Sequence, residues 1–133
     1  MTAAELHRLV AELMHDEWDQ VPVGFEWTPA VVAEVDRLHG AGDDHALPDP
    51  SAHFAAFGLD LLRHAESGAA DDATDVSLIA DVLSRWFPDA TPVLVADMCR
   101  RRRAEGDAVV AESAVEGYAL FGLRLLVRYR ARP

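Results

Sequence analysis

The 133-residue sequence contains no lysine and a single cysteine, Cys99. One cysteine excludes an intramolecular disulfide framework and a cysteine-rich zinc site. The longest apolar-looking stretch, residues 114–127, is interrupted by Glu116 and Arg124, so we expect no membrane-spanning helix. The first residues also lack the basic and apolar regions of a secretory signal. These absences together predict a cytoplasmic protein that does not bind a membrane.

Positive charge is scarce as well. The 23 acidic residues outnumber the 12 basic residues, all of them arginine, and give a formal net charge of −11. Residues 1–66 hold 13 acidic residues and 3 arginines, whereas residues 67–133 hold 10 and 9. A negative field of this size disfavours direct binding to nucleic acid and favours a basic partner. We expect that partner to be a protein and to dock on the acidic half of the chain.

The hydrophobic pattern is helical along the whole chain. Apolar residues recur at intervals of three and four, and no stretch alternates with the period of two that strands require. The dipeptides Thr28-Pro29 and Thr91-Pro92 are typical of helix starts, because threonine caps the first turn and proline fits the first helical position. These signals predict an all-α fold with helices at residues 2–19, 28–39, 51–66, 74–87, 91–104 and 108–130.

An internal repeat is the most specific feature of the sequence. The ten residues from Thr28 match the ten from Thr91 at five positions, and the nine from Phe54 match the nine from Tyr118 at six. Two ordered matches at nearly the same offset predict a duplication.

From this repeat we predict a single domain over residues 1–133, organised as a six-helix bundle of two tandem three-helix repeats. The repeats span residues 1–66 and 74–133, are joined by a linker at 67–73, and pack with pseudo-twofold symmetry. Gly58 and Gly122 occupy matching helix-interior positions, where glycine is unfavourable, so they predict a close approach between helices.

A loop in the first repeat is rich in residue types that bind metals. Histidine and carboxylate side chains are the usual ligands of zinc and non-haem iron. Their spacing here matches no metal-binding motif, and a solvated acidic loop is the alternative interpretation. No cofactor is therefore predicted. The candidate ligands are His39, Asp43, His45, Asp49 and His53.

Four consecutive arginines are candidates for anion binding, because guanidinium groups donate charge-assisted hydrogen bonds. The alternative is that they complement the negative end of a helix dipole and pair with acidic residues. Cys99, beside this run, is either a reactive thiol or a small, partly buried apolar side chain. The run consists of Arg100, Arg101, Arg102 and Arg103.

The last predicted helix is apolar over most of its circumference, which favours contact with another chain. The predicted interaction residues are Leu120, Leu123 and Val127, rimmed by Arg124 and Arg128. Together they predict a homodimer through this helix.

No nucleophile elbow or phosphate-binding glycine loop occurs, which favours a protein without catalytic activity. Our leading hypothesis is an acidic interaction protein, such as a regulator, adaptor or immunity-type protein, that docks on a basic partner. The first alternative is a helical bundle, with or without enzymatic activity, that binds a small ligand or metal. Its pocket would lie between the repeats and be lined by Trp18, Trp27, Trp86 and the phenylalanines. The second alternative is a nucleic-acid mimic with rows of carboxylates in place of phosphates.

Overall fold

A computed structural model describes residues 1–17, 26–47, 51–69 and 74–132 of the chain. Within these ranges the chain forms six α-helices and no strands, so the predicted all-α fold is confirmed. None of these helices combines the length and apolar character needed to cross a membrane. The helices are α1 (Ala3–Glu17), α2 (Pro29–Gly40), α3 (Ala52–His64), α4 (Asp75–Trp86), α5 (Pro92–Glu105) and α6 (Ala114–Ala131).

Most of these helices begin at a side-chain cap. In each case a hydroxyl oxygen accepts a hydrogen bond from the backbone N–H three residues later, at 3.1–3.3 Å. Such a bond satisfies one of the N–H groups that a helix start leaves unpaired. The two predicted Thr-Pro starts therefore share one local geometry. The capping residues are Thr2, Thr28, Thr74, Thr91 and Ser113.

The start of α6 differs from the prediction. Residues Gly106–Ala108 form a short 3-10 turn, and α6 begins only after its cap, Ser113. Val110, which falls within the helix predicted at residues 108–130, lies in the connecting segment and is 67% exposed. The prediction missed the cap because the apolar residues before it continue the helical period. At 18 residues α6 is about 27 Å long, and eight of its residues are buried within the chain.

The chain divides into two compact units, unit 1 (Met1–Leu59) and unit 2 (Asp60–Pro133), with the boundary inside α3. In unit 1, α1 packs on α2, and the 3-10 turn Asp44–Ala46 packs on α2 as well. The large buried side chains of this unit include Leu6, Val10, Leu13, Met14, Trp27, Val32, Val35 and Phe57.

In unit 2, helices α4, α5 and α6 contact one another pairwise. A Cβ atom at Gly122 would lie 3.2 Å from Leu61 Cδ2 and 3.3 Å from Ile79 Cγ1. The close approach predicted at Gly122 is therefore confirmed, and the neighbouring side chains come from α3 and α4. By contrast, α5 buries only Val95 and Met98.

The end of α3 continues into a π-helical turn, Ala65–Ala69. This turn includes the first part of the linker that we predicted at residues 67–73. Residues 70–73 of that linker lie outside the described part of the chain.

Candidate functional site

Three of the described metal-site candidates, His39, Asp43 and His45, lie in two separate His–Asp pairs, the first of which includes Asp44. Nδ1 of His39 lies 2.7 Å from Oδ1 of Asp44. Nε2 of His45 lies 3.0 Å from Oδ1 of Asp43. Within the described ranges, no three His, Cys, Asp or Glu side chains are grouped as a metal ion requires. Metal binding stays a prediction, whose other candidates are His53 on α3 and Asp49, which lies outside the described residues.

The arginine run of α5 is divided among several partners. Arg100 pairs with Asp97 on the same helix at 2.5 Å, whereas Arg101 donates to Glu116 of α6 at 2.6 Å. Arg103 donates to the sulfur of Cys99 at 3.3 Å, one helical turn away. Arg102 is partly buried. Pairing with nearby carboxylates is what the alternative interpretation of this run expects, and the anion site stays a prediction.

The predicted interaction residues of α6 occupy two different environments. Leu120 and Leu123 are buried, at 6% and 5% exposure, whereas Val127 is 49% exposed. Arg124 and Arg128 are partly buried. The chain itself thus covers two of the three apolar side chains, and the exposed remainder is small.

Of the three tryptophans predicted to line a pocket, Trp86 lies in unit 2 within a packed aromatic cluster. Trp86 and Phe87 both contact the ring of Tyr118, with ring centroids 5.9 and 5.1 Å apart. The indole N–H of Trp86 donates to Asp60 Oδ2 at 3.1 Å, and burial raises the pKa of Tyr118. Trp27 is buried in unit 1, and Trp18 lies outside the described residues.

The sequence did not predict a polar cluster that lies at the C-terminal end of α6. The hydroxyl of Tyr129 donates to Glu66 at 2.5 Å, and Arg132 both stacks on the Tyr129 ring and donates to Glu66. One residue away, Arg130 pairs with Asp75 at 2.5 Å. The partners are more than fifty residues apart in the chain, so no spacing or periodicity indicates them.

Unit 1 uses a different kind of pairing. His7 of α1 lies 2.8 Å from Asp36 of α2, and both side chains are 15% exposed. His39–Asp44 and His45–Asp43 are pairs of the same kind. These three aspartates of unit 1 therefore each lie beside a histidine. Among the described residues of this unit, Arg37 also pairs with Glu34, on the exposed side of α2.

The exposed side of α1 is acidic. Glu5, Glu12 and Asp16 follow one another at intervals of seven and four residues, which places them on one face. Glu12 and Asp16 are exposed and Glu5 is partly buried, and the buried Leu9 borders them on the same side of the helix. Within the described residues, neither Glu5 nor Glu12 forms an ion pair with an arginine. We call these three residues the α1 acidic face.

No known family model matches the sequence, and neither a curated protein nor a solved structure is detectably similar to it.

Proposed function

We propose that this protein is a non-catalytic acidic interaction protein whose unit 1 docks on a basic protein partner. The observation that carries the proposal is the electrostatic contrast between the units. Residues 1–59 hold 11 acidic residues and 2 arginines, and residues 60–133 hold 12 and 10. Unit 1 therefore carries a formal charge of −9, and unit 2 carries −2.

Ion pairing deepens this contrast. In unit 2, arginines neutralise several carboxylates directly, among them those of Glu66, Asp75, Asp97 and Glu116. In unit 1, by contrast, a histidine rather than an arginine lies beside the carboxylates of Asp16, Asp36, Asp43 and Asp44. Glu5 and Glu12 form no ion pair with an arginine among the described residues, so their negative charge is available to another molecule.

The α1 acidic face arranges part of this negative charge in a row along one helix. With a rise of 1.5 Å per residue, Glu5 and Glu12 are about 10 Å apart along the helix axis, and Glu12 and Asp16 about 6 Å. Arg8 is exposed beside them and supplies a single positive charge. A row of this kind suits a basic helix or a basic extended segment, and it would steer such a partner into contact.

The test compares two pairs of neutralising substitutions that leave the same net charge. Glu5→Gln/Glu12→Gln removes two charges from the α1 acidic face, and the control, Asp107→Asn/Glu112→Gln, removes two exposed charges from unit 2. Binding to an immobilised arginine peptide is measured by surface plasmon resonance at low ionic strength. We expect the first variant to bind about fivefold more weakly and the control to bind nearly as wild type. If both variants lost the same affinity for the peptide, binding would depend on net charge alone, and the α1 acidic face would not be a docking face.

The proposal extends to the origin and the location of the protein. Two copies of one three-helix unit, related by pseudo-twofold symmetry, would explain why Thr28 and Thr91 cap their helices in the same way. One copy would then have kept the negative excess for binding. We also propose a cytoplasmic location, which suits a chain with a single free thiol.

Self-association through α6 stays a prediction. Val127, Arg124 and Arg128 would supply the contact, since Leu120 and Leu123 are buried within the chain. Sedimentation velocity at micromolar concentration decides the matter, because a 14.5 kDa particle would exclude the dimer.

A further inference from the structure

The arginine run of α5 leaves positive charge that the described residues do not neutralise. Neither Arg102 nor Arg103 forms an ion pair with a carboxylate within these ranges. The guanidinium group of Arg103 donates to the sulfur of Cys99 instead. Arg100 pairs with Asp97, but its side chain is 73% exposed. These guanidinium groups are therefore available to the carboxylates of another molecule.

Two of these arginines share one face of α5. Arg100 and Arg103 are three residues apart, which makes them neighbours on the helix surface. Val93, seven residues before Arg100, lies on the same face and is 78% exposed. With a rise of 1.5 Å per residue, this face extends over about 15 Å, and its two arginines are about 4.5 Å apart along the helix axis. We call these three residues the α5 basic face.

The complementary charge belongs to unit 1 of the same sequence. Unit 1 carries a formal charge of −9, and Glu12 and Asp16 of the α1 acidic face are both exposed. These two carboxylates are about 6 Å apart along their helix axis, which is close to the spacing of the two arginines on α5. A guanidinium group can donate two parallel hydrogen bonds to one carboxylate. A second copy of the chain therefore presents the chemistry that the α5 basic face binds.

From this complementarity we infer that the α5 basic face docks on the acidic unit 1 of a second copy of this chain. The inference rests on the proposed function, which makes unit 1 an acidic docking surface, and it names one partner. Each copy carries a net charge of −11, but salt at about 0.1 M screens the repulsion between copies beyond about 10 Å. Hydrogen-bonded ion pairs form well inside that distance. Nucleic acid suits the face less, because its repeated phosphates would also meet the acidic remainder of the chain.

The contact joins different surfaces of the two molecules, because each copy carries one face of each kind. This distinguishes it from a homodimer through α6, in which both copies would use the same residues. Since few side chains take part, we expect a weak and salt-sensitive association.

Sedimentation velocity at about 200 µM protein measures this association in about 0.1 M and about 1 M NaCl. For the wild type we expect a weight-average mass about 1.5 times that of the 14.5 kDa chain at the lower salt concentration. At the higher salt concentration the mass should fall to that of the monomer, because ions screen exposed charges.

Two matched substitutions locate the contact on unit 2. Arg103→Glu and Arg85→Glu both change an exposed arginine that forms no ion pair with a described carboxylate, and both give a net charge of −13. Arg103→Glu should be monomeric, whereas Arg85→Glu, on α4, should associate nearly as the wild type does. Equal masses for the two variants would mean that net charge or another surface controls the association, and the inference would be wrong.

Glu12→Arg tests the other side of the contact. It changes the net charge from −11 to −9 and so weakens the repulsion between copies, yet it should abolish association because it places a positive charge opposite the α5 basic face. An equimolar mixture of Glu12→Arg and Arg103→Glu contains one intact face of each kind and should associate again. A mixture that stays monomeric would contradict the inference.

Circular dichroism verifies that each variant is folded. Binding of the wild type to the arginine peptide tests the proposed function separately, since the peptide needs unit 1 and not the α5 basic face. A wild type that binds the peptide but stays monomeric would overturn the inference and leave the proposed function standing. A wild type that fails to bind the peptide would overturn the proposed function itself.

Discussion

Arg101 and Glu116 join the end of α5 to the first turn of α6, with a guanidinium nitrogen 2.6 Å from the carboxylate. A second guanidinium nitrogen of Arg101 donates to the carbonyl of Val110 at 2.8 Å. The arginine therefore fastens the segment between the two helices as well as the helices themselves. Since α5 buries only Val95 and Met98, this polar contact adds to the few buried contacts of the helix at its C-terminal end.

Arg101→Gln should destabilise unit 2, because it leaves Glu116 and the Val110 carbonyl without their common donor. Both members of the pair are shielded, at 28% and 18% exposure. We expect the Tm to fall by about 3–5 °C, as measured by circular dichroism. Arg100→Gln breaks the exposed pair with Asp97 and should leave the Tm nearly unchanged. Equal losses for the two substitutions would contradict the special role of Arg101.

Gly122→Ala should destabilise the protein although alanine is the better helix former. The new methyl group would press on Leu61 and Ile79, which are both fully buried and have little room to move. We expect a net loss of about 1 kcal/mol in the free energy of unfolding by urea, after the gain in helix propensity is included. Gly40→Ala provides the comparison, because nothing lies within 4 Å of the added atom. It should stabilise the protein by about 0.5 kcal/mol. If Gly122→Ala stabilised the protein, the side chains of Leu61 and Ile79 would have moved to make room for the methyl group, and the prediction would be wrong.

Ser113→Ala should cost about 1 kcal/mol of stability, since the hydroxyl caps the first turn of α6 at Glu116 N. Ser113→Asp keeps a capping oxygen and should retain the wild-type free energy of unfolding within a few tenths of a kcal/mol. If the two variants unfold at the same urea concentration, the hydroxyl is not what starts the helix.

Acid should weaken the cluster at the C-terminal end of α6. The hydrogen bond from Tyr129 lowers the pKa of Glu66 below its ordinary value of 4.5, and the charge of Arg132 acts in the same direction. A carboxylate whose pKa is depressed by folding stabilises the native state above its unfolded-state pKa, and this contribution is lost as the pH falls through the folded-state value. The stabilisation is thus present at pH 6 and declines below about pH 4.5.

Tyr129→Phe measures this contribution. The Tm difference between wild type and Tyr129→Phe should stay constant from about pH 7 to pH 5 and shrink at lower pH. In the background of Glu66→Gln, the same substitution should give a Tm difference without that acid dependence. A difference that is constant down to about pH 3 would exclude Glu66 as the titrating partner of Tyr129.

Local features of the sequence predicted the helices well. Apolar spacing and capping residues act within one or two helical turns, so they can be recognised without knowing the fold. The Thr-Pro starts of α2 and α5 were predicted on this basis, whereas the tight environment of Gly122 was predicted from its matching position in the internal repeat. The predicted start of α6 was wrong. Val110 continues the helical period of apolar residues, but it lies in the connecting segment before Ser113, which caps the helix.

The candidate site was less accessible from the sequence. Periodicity indicated that α6 is apolar nearly all round, and we assigned part of that surface to a second chain. The structure buries Leu120 and Leu123 instead. Apolar spacing identifies a face that must be covered, but it carries no information about which element covers it.

The amino-acid sequence alone predicts the helical class, the Thr-Pro starts of α2 and α5 and the excess of acid in the first half of the chain. These properties follow from composition and from interactions between residues close in the chain. Which charged side chains come into contact depends on how the helices pack. His7 and Asp36 are 29 residues apart, and Tyr129 and Glu66 are 63 apart. Such pairs form because helix packing brings distant turns together, and packing depends on all the buried side chains at once.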